Sequence, residues 1–211
     1  GLAKIFFVNG LCDESADFYK VFEDLKASFG PSICPVVVPF VENGKVSCYV
    51  NLLEYKAYTY NDNKVEEVPM PDMGVRLEGL RTAIAEAVAE TDDELFEKYF
   101  SGESFTPAET IMGIHNGVRS GKISPVFCGD ALSTDGIDEL LNGLIWLAPT
   151  AGDKGEELAV DVNGEPVELA CNEDAATAAI VFKTIVDPFI GKISFIKVVS
   201  GKLSADTPLV N

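Results

Sequence analysis

Apolar and polar positions near the start of the chain predict one buried strand followed by one amphipathic helix. Lys4–Val8 is a short, mainly apolar run that Asn9-Gly10 ends, which is typical of a buried strand. From about Ser15 to Ser28 apolar residues recur every three or four positions, which predicts a helix with one apolar face. Gly30-Pro31 then marks the end of that helix.

Residues 34–68 change to the pattern of strands. Pro35–Val38 contains three consecutive β-branched valines, and Val46–Leu53 and Glu54–Tyr60 are further candidate strands. Turn-forming residues separate them at 42–45 and 61–64. We therefore predict a small antiparallel sheet.

Helices are predicted next, over Arg76–Glu90, from Asp92 to about Phe100, and from Thr106 to about Ser120. Thr91 and Glu94 have the spacing of a capping box in front of the second of these helices. Thr106 and Glu109 have the same spacing in front of the third, which has a proline at its first position.

The rest of the chain returns to a strand and a helix, and then to strands alone. Ile123–Cys128 is a short buried strand, followed by a loop and an amphipathic helix over Asp135–Leu147. Ala151–Asp174 is an acidic linker or hairpin, and further strands are predicted over Ala178–Val186 and Lys192–Val199. The two strand–helix units indicate a parallel α/β sheet divided by an insertion, and the last strands indicate the start of an all-β domain.

The composition is that of a folded, acidic protein. Of 211 residues 47% are hydrophobic, and 34 acidic against 16 basic residues give a net charge of −18. Phosphate binding needs clustered Lys and Arg, which excludes a broad contact of this chain with nucleic acid or an anionic membrane. The apolar runs are too short for a membrane span, and no signal-peptide pattern opens the chain. Five widely spaced cysteines favour free thiols in a cytoplasmic setting over a zinc site or a disulfide framework.

Three candidate chemical features have ordinary structural explanations. A Gly-Lys-x-Ser tetrad recurs four times, but a phosphate loop needs a longer motif between a strand and a helix, and Gly121-Lys122 precedes a strand. His115, the only histidine, has no catalytic partner near it in the sequence. The acidic residues at 92–94 and 97 lie at a helix start, where the helix dipole favours them.

Several ordered segments together resemble elongation factor G. Residues 6–18 resemble the segment around the guanine-reading Asn-Lys-Met-Asp motif of that family, and residues 93–103 resemble its Asp-Glu-Glu-Leu-Leu-Glu-Lys-Tyr stretch. Residues 125–131 resemble the loop that completes its guanine pocket. Residues 136–149 resemble the helix that ends its GTPase domain, and residues 187–195 resemble the opening of its β-barrel second domain. Each segment is short, but together they follow the order of the family over nearly the whole chain.

The resemblance implies an α/β fold, α+β overall, with a partial P-loop-type parallel sheet, an inserted antiparallel sheet plus helices, and a truncated β-barrel segment. It places the C-terminal half of a GTPase domain at 1–33 and 121–150, an inserted subdomain at 34–120, and a linker and the start of the barrel at 151–211. The phosphate loop, switches and Asp-x-x-Gly-His motif of the family do not occur in the sequence, so we expect an internal fragment. Its strands near Lys4–Val8 and Ile123–Cys128 would lack neighbours, so we expect a dimer or another assembly through exposed sheet edges.

The resemblance assigns a partial, degenerate guanine site to Asn9, Gly10, Cys12, Asp13, Asp130, Ala131 and Leu132. Asn9 matches the family, whereas Gly10 replaces its lysine and Cys12 replaces the aspartate that accepts two hydrogen bonds from guanine. A neutral thiol is a weak acceptor. Asp130 replaces a serine, and Ala131 matches and is expected to offer its backbone N–H to guanine O6. Asp13 lies one residue late in the motif.

By resemblance, the whole protein is a translational GTPase that promotes GTP-dependent translocation on the ribosome. Its expected ligands are GTP or GDP and Mg²⁺, and its expected partners are the ribosome and the ribosomal stalk protein, which the inserted subdomain meets. The fragment itself is expected to be inactive and to bind no cofactor, with no catalytic or metal-binding residue. Two alternatives stay open, namely a ribosome-binding module without nucleotide turnover and a ribosome-protection paralogue of the tetracycline-resistance type.

Overall fold

The chain divides into two compact units, Gly1–Ala148 and Pro149–Asn211. The computed structural model describes residues 2–61, 64–161 and 163–208. No helix within these ranges is long and apolar enough to cross a membrane. In chain order the first unit contains β1 (Phe6–Val8), α1 (Phe18–Phe29), β2 (Ile33–Pro35), β3 (Val37–Glu42), β4 (Lys45–Asn51), β5 (Lys56–Asn61), β6 (Lys64–Val68), α2 (Val75–Ala89), α3 (Asp93–Phe100), α4 (Pro107–Ser120), β7 (Ser124–Cys128) and α5 (Ile137–Leu147).

A parallel sheet in the order β1-β7-β2 carries the candidate site. Val8 lies opposite Cys128 on one side of β7, and Pro35 lies opposite Val126 on the other. All five residues of β7 are buried. The expectation of an exposed edge at Ile123–Cys128 is therefore wrong, because β2 pairs with β7 and not with the antiparallel sheet predicted over residues 34–68.

A single residue between β2 and β3, Val36, links the parallel sheet to the antiparallel one. Its N–H donates to the carbonyl of Val126 at 2.9 Å, and its own carbonyl accepts from the N–H of Leu52 at 2.9 Å. This one residue thus bonds to both sides, through its N–H to β7 and through its carbonyl to the residue that follows β4. Since β2 spans residues 33–35, the boundary predicted between residues 33 and 34 cuts through a strand.

The antiparallel sheet has the order β3-β4-β5-β6. A tight turn joins β3 to β4 through Asn43 and Gly44, whose φ angles of 52° and 77° are those of the hairpin turn predicted from the sequence. Of the turn predicted at 61–64, Asp62 and Asn63 lie outside the described residues.

The helix after β1 begins later than the pattern predicted. Asp17 caps α1 by accepting from the N–H of Lys20 at 3.1 Å, so the helix begins at Phe18 rather than near Ser15. Its apolar face buries Phe18 and Phe22, and Gly30 ends it with a φ of 77°.

Side-chain caps define the starts of α3 and α4. The predicted capping box of α4 is confirmed, since Glu109 N–H donates to Thr106 Oγ1 at 3.3 Å and Thr106 N–H donates to Glu109 Oε2 at 2.7 Å. The predicted box of Thr91 and Glu94 is wrong. Asp92 caps α3 instead, accepting from Glu94 N–H at 2.9 Å, because the Thr91 hydroxyl donates to a carbonyl at the end of α2 at 2.6 Å.

The core of the first unit lies where α2, α4 and α5 pack against the parallel sheet. Its most deeply buried apolar side chains include Val37, Val38, Val50, Val88, Ile114, Val118, Val126, Phe127 and Leu147. Helix α5 approaches closely, since a Cβ added at Gly143 would lie 2.1 Å from the ring of Phe127. The predicted apolar face of α5 is only partly covered, because Leu141 and Trp146 remain about half exposed, at 54% and 42%.

The second unit consists of α6 (Ala151–Lys154), β8 (Glu156–Val160), β9 (Pro166–Ala170), β10 (Ala178–Asp187) and β11 (Gly191–Ser200). The acidic segment predicted as a linker or hairpin contains the antiparallel pair β8–β9, and the two predicted strands form the antiparallel pair β10–β11. Apolar side chains of β10, such as Phe182 and Val186, are exposed in this unit.

Candidate functional site

The candidate site consists of the loops that follow β1 and β7. Because these strands are parallel neighbours, their carboxyl ends meet at one edge of the sheet, where α/β folds bind ligands. Gly129 N–H donates to the carbonyl of Val8 at 3.1 Å, and Leu11 N–H donates to the carbonyl of Gly129 at 3.2 Å. The fold therefore brings Asn9, Cys12, Asp130 and Ala131 together.

The side chain of Asn9 bridges the two loops. Its Oδ1 accepts from the backbone N–H of Ala131 at 2.8 Å, across 122 residues of sequence. This N–H is the group that the resemblance reserves for guanine O6. In this structure it donates to the protein itself.

The carboxylate of Asp130 holds both loops in place from a buried position. Its Oδ1 accepts from the N–H groups of Leu132 and Ser133 at 2.9 and 3.1 Å, and its Oδ2 accepts from the N–H of Cys12 at 3.3 Å. The hydrogen bond from Ser133 is the largest of the interactions that lower the pKa of Asp130, and they outweigh its burial. Asp130 is therefore ionised at neutral pH, and its two carboxylate oxygens accept hydrogen bonds from backbone N–H groups.

The thiol of Cys12 lies between the hydroxyl of Ser133, at 3.5 Å, and the carboxylate of Asp135, at 3.7 Å from Sγ to Oδ2. The contact with Ser133 lowers the pKa of Cys12, but partial burial and the charges of Asp130 and Asp135 outweigh it, so the pKa is raised. The thiol is therefore neutral at pH 7 and donates to Asp135.

The other predicted site residues do not join this network through their side chains. Asp13 Oδ1 accepts from the N–H and the hydroxyl of Ser15 at 2.7 and 2.6 Å, which lowers its pKa and commits it to a local turn. Leu132 is 98% exposed at the tip of the second loop. Gly10 has a φ of 84°, a conformation that the lysine of the family motif would rarely adopt.

Sequence reasoning missed the closure of the second loop. Asp130 N–H donates to the carbonyl of Asp135 at 2.9 Å, and a Cβ added at Gly129 would lie 2.0 Å from that same carbonyl oxygen. Ser133 and Asp135 thereby become neighbours of the Cys12 thiol. An aspartate at the start of a loop is a signal for such a turn, because its carboxylate can accept from backbone N–H groups a few residues later.

As placed, these residues do not fit a guanine base. The position of the aspartate that would accept two hydrogen bonds holds a neutral thiol, and the N–H of Ala131 is bonded to Asn9. Within the described ranges, no group of three or more His, Cys, Asp and Glu side chains is placed to hold a metal ion. The network instead joins two loops of one sheet edge to each other.

Comparison with known proteins identifies relatives along nearly the whole chain. No family model matches. The chain is 32% identical to elongation factor G of Ureaplasma parvum serovar 3 over 99% of its length, which is 31% of that protein. It is 36% identical to an elongation factor G-like protein of Thermotoga maritima over 98% of its length, 30% of that protein.

A solved structure agrees with these relatives. The crystal structure of a Thermus thermophilus protein superposes with a TM-score of 0.78 and 29% identity, over 96% of this chain and 28% of that one. The chain thus spans about a third of the length of the curated relatives it matches. The resemblance inferred from the sequence, and its mixed α/β fold, are confirmed.

Proposed function

We propose, from the premise that this chain is a relative of elongation factor G, that it acts in translation at the ribosome, in the cytoplasm. It would correspond to about a third of such a factor. One observation carries the proposal: the similarity is collinear over 99% of the chain. The relatives named above are elongation factor G and an elongation factor G-like protein, which supports elongation over ribosome protection.

We further propose that this chain contacts the ribosome without holding GTP, GDP or Mg²⁺. The thiol at Cys12 cannot replace a charged acceptor of two hydrogen bonds, a loss worth about 1.5–3 kcal/mol or more. The bond from Ala131 to Asn9 removes the second guanine contact. Both observations favour a binding role for this part of the factor over nucleotide recognition.

We place the contact with the ribosomal stalk protein on the inserted part of the first unit, around α3 and α4. Phe96 and Phe100 of α3 are 48% and 70% exposed, and their ring centroids lie 4.5 Å apart. Met112 of α4 is also more than half exposed. Adjacent exposed aromatic side chains are typical of protein–protein contacts.

Co-sedimentation with ribosomes through a sucrose cushion tests the proposal. The 211-residue chain is expected to pellet with intact ribosomes and to remain in the supernatant with ribosomes stripped of the stalk protein. The variant Phe96→Ser/Phe100→Ser should lose most of this binding. The control variant Leu141→Ser/Ile145→Ser removes two exposed apolar side chains from α5 and should pellet as the parent chain does.

Two results would contradict the proposal. Failure of the chain to pellet with intact ribosomes would contradict the proposed action at the ribosome. Equal pelleting with intact and stripped ribosomes would show that the stalk protein is not the partner.

A further inference from the structure

A groove of about 570 Å³ lies in the inserted part of the first unit. All of its lining residues lie between Leu52 and Thr110, so it is separate in sequence from the two loops of the candidate site. Its walls are the turn between β4 and β5, one side of α2, and the segment that joins α3 to α4. Its volume falls in the range of about 300–1,000 Å³ that is usual for ligand sites.

The groove has an apolar base and aromatic walls. Leu53 and Ile84 are buried, and the rings of Tyr99 and Phe105 lie side by side with centroids 6.4 Å apart and an interplanar angle of 28°. Tyr55, in the turn between β4 and β5, also lines the groove. It is 48% exposed and has a φ of 57°, which a bulky residue rarely adopts. Such strain at an exposed aromatic residue is typical of functional surfaces.

The charges that line the groove are mainly negative. The lining contains three glutamates and one arginine, namely Glu54, Glu78, Glu103 and Arg81, so its formal charge is −2. The guanidinium of Arg81 lies 5.1 Å from the centroid of the Tyr55 ring, so one aromatic face of the groove already holds a cation. Together with the overall charge of −18, this lining attracts cations and repels phosphates.

We propose that this groove binds an extended basic segment of a partner polypeptide and takes one of its lysine or arginine side chains between the aromatic rings and the glutamates. The aliphatic stem of that side chain would pack on the apolar base. Its charged head would meet an aromatic face and a carboxylate, which are the two groups that hold cations at protein surfaces. The proposal stands apart from the action at the ribosome, because any partner with such a segment satisfies it.

Titration of the ¹⁵N-labelled chain with acetylated, amidated hexalysine tests the proposal at physiological ionic strength. We expect amide shifts to concentrate in residues 52–55, 78–85 and 99–110, and a Gly-Ser hexamer to cause none. Glu78→Gln/Glu103→Gln should weaken hexalysine binding about fivefold, since each exposed charge contributes modestly. Glu14→Gln/Glu66→Gln removes the same charge from exposed sites that do not line the groove, and should leave the affinity within about twofold.

Three outcomes would overturn the proposal. Shifts spread over all acidic surfaces would show attraction to net charge alone. Equal weakening by the groove variant and the control variant would show the same. Binding of tetramethylammonium as tight as that of hexalysine would assign the groove to a small cation and not to a polypeptide. All four substituted glutamates are exposed, and a preserved amide spectrum verifies that each variant is folded.

Discussion

The hydrogen bond between Asn51 and Glu139 ties the antiparallel sheet to α5, and its removal has a calculable effect. Asn51 Nδ2 donates to Glu139 Oε2 at 2.6 Å, and both residues are only 6% exposed. Asn51 Oδ1 also accepts from the N–H groups of Leu53 and Glu54 at 2.9 and 3.1 Å. Asn51→Ala therefore leaves one buried carboxylate and two backbone donors without these partners. We expect a loss of about 3 kcal/mol in the free energy of unfolding.

This loss should depend on pH. Burial raises the pKa of Glu139 above its ordinary value of 4.5, the bond from Asn51 lowers it, Asp138 and Glu54 raise it, and Lys56 lowers it. Because the folded state holds the proton more tightly than the unfolded state, stability falls as pH rises from 4.5 through the raised pKa. Asn51→Ala raises this pKa further, so its cost grows with pH and is larger at pH 8 than at pH 4.5, by up to about 1.4 kcal/mol for each added pKa unit.

Urea unfolding followed by the fluorescence of Trp146, the only tryptophan, reports on the first unit because Trp146 lies on α5. Glu139→Gln is the matched control. It keeps an acceptor for Asn51 and removes the buried charge, so it should stay within about 1 kcal/mol of the parent chain and lose the pH dependence. A cost of Asn51→Ala below about 0.5 kcal/mol, or one that is equal at both pH values, would refute the reasoning.

Three further predictions concern packing, capping and assembly. Gly143→Ala should cost about 1–3 kcal/mol in the same assay, because the new Cβ would lie 2.1 Å from the Phe127 ring, and unchanged stability would contradict the close packing of α5. Asp92→Ala should cost about 1 kcal/mol through loss of the α3 cap, and a larger cost of Thr91→Ala would favour the capping box predicted from the sequence. Light scattering at high concentration should give a mass above the 22.7 kDa of one chain, because β1 and β2 are the outer strands of their sheet, and a monomer mass at every concentration would exclude that assembly.

The sequence predicted most elements of the fold because their signals are local. The Thr106–Glu109 box, the Gly30 helix end and the turn at Asn43-Gly44 each depend on a few neighbouring residues, and each is present. Thr91 and Asp92 show the limit of such signals. Either side chain can cap a helix, and only the carbonyl that the Thr91 hydroxyl meets at the end of α2 decides between them.

The features that the sequence did not predict depend on contacts between distant residues. β2 has only three residues. The sheet that it joins is determined by its pairing with β7, about ninety positions later in the chain. Likewise, the site residues were identified through the resemblance, but the bond of Asn9 to Ala131 spans 122 residues. No local pattern shows that a backbone donor in one loop is already satisfied by the other.

The central claim about the candidate site is that its two loops bind each other through Asn9, so that the N–H of Ala131 is not offered to guanine. Amide NMR of the labelled chain tests it at one atom, the N–H of Ala131. We predict that GDP leaves the Ala131 resonance unmoved up to millimolar concentration, and that Asn9→Ala shifts it and speeds its hydrogen exchange, because the bond at 2.8 Å is lost. A saturable GDP-dependent shift of Ala131 in the parent chain, or an unchanged resonance in Asn9→Ala, would contradict the account.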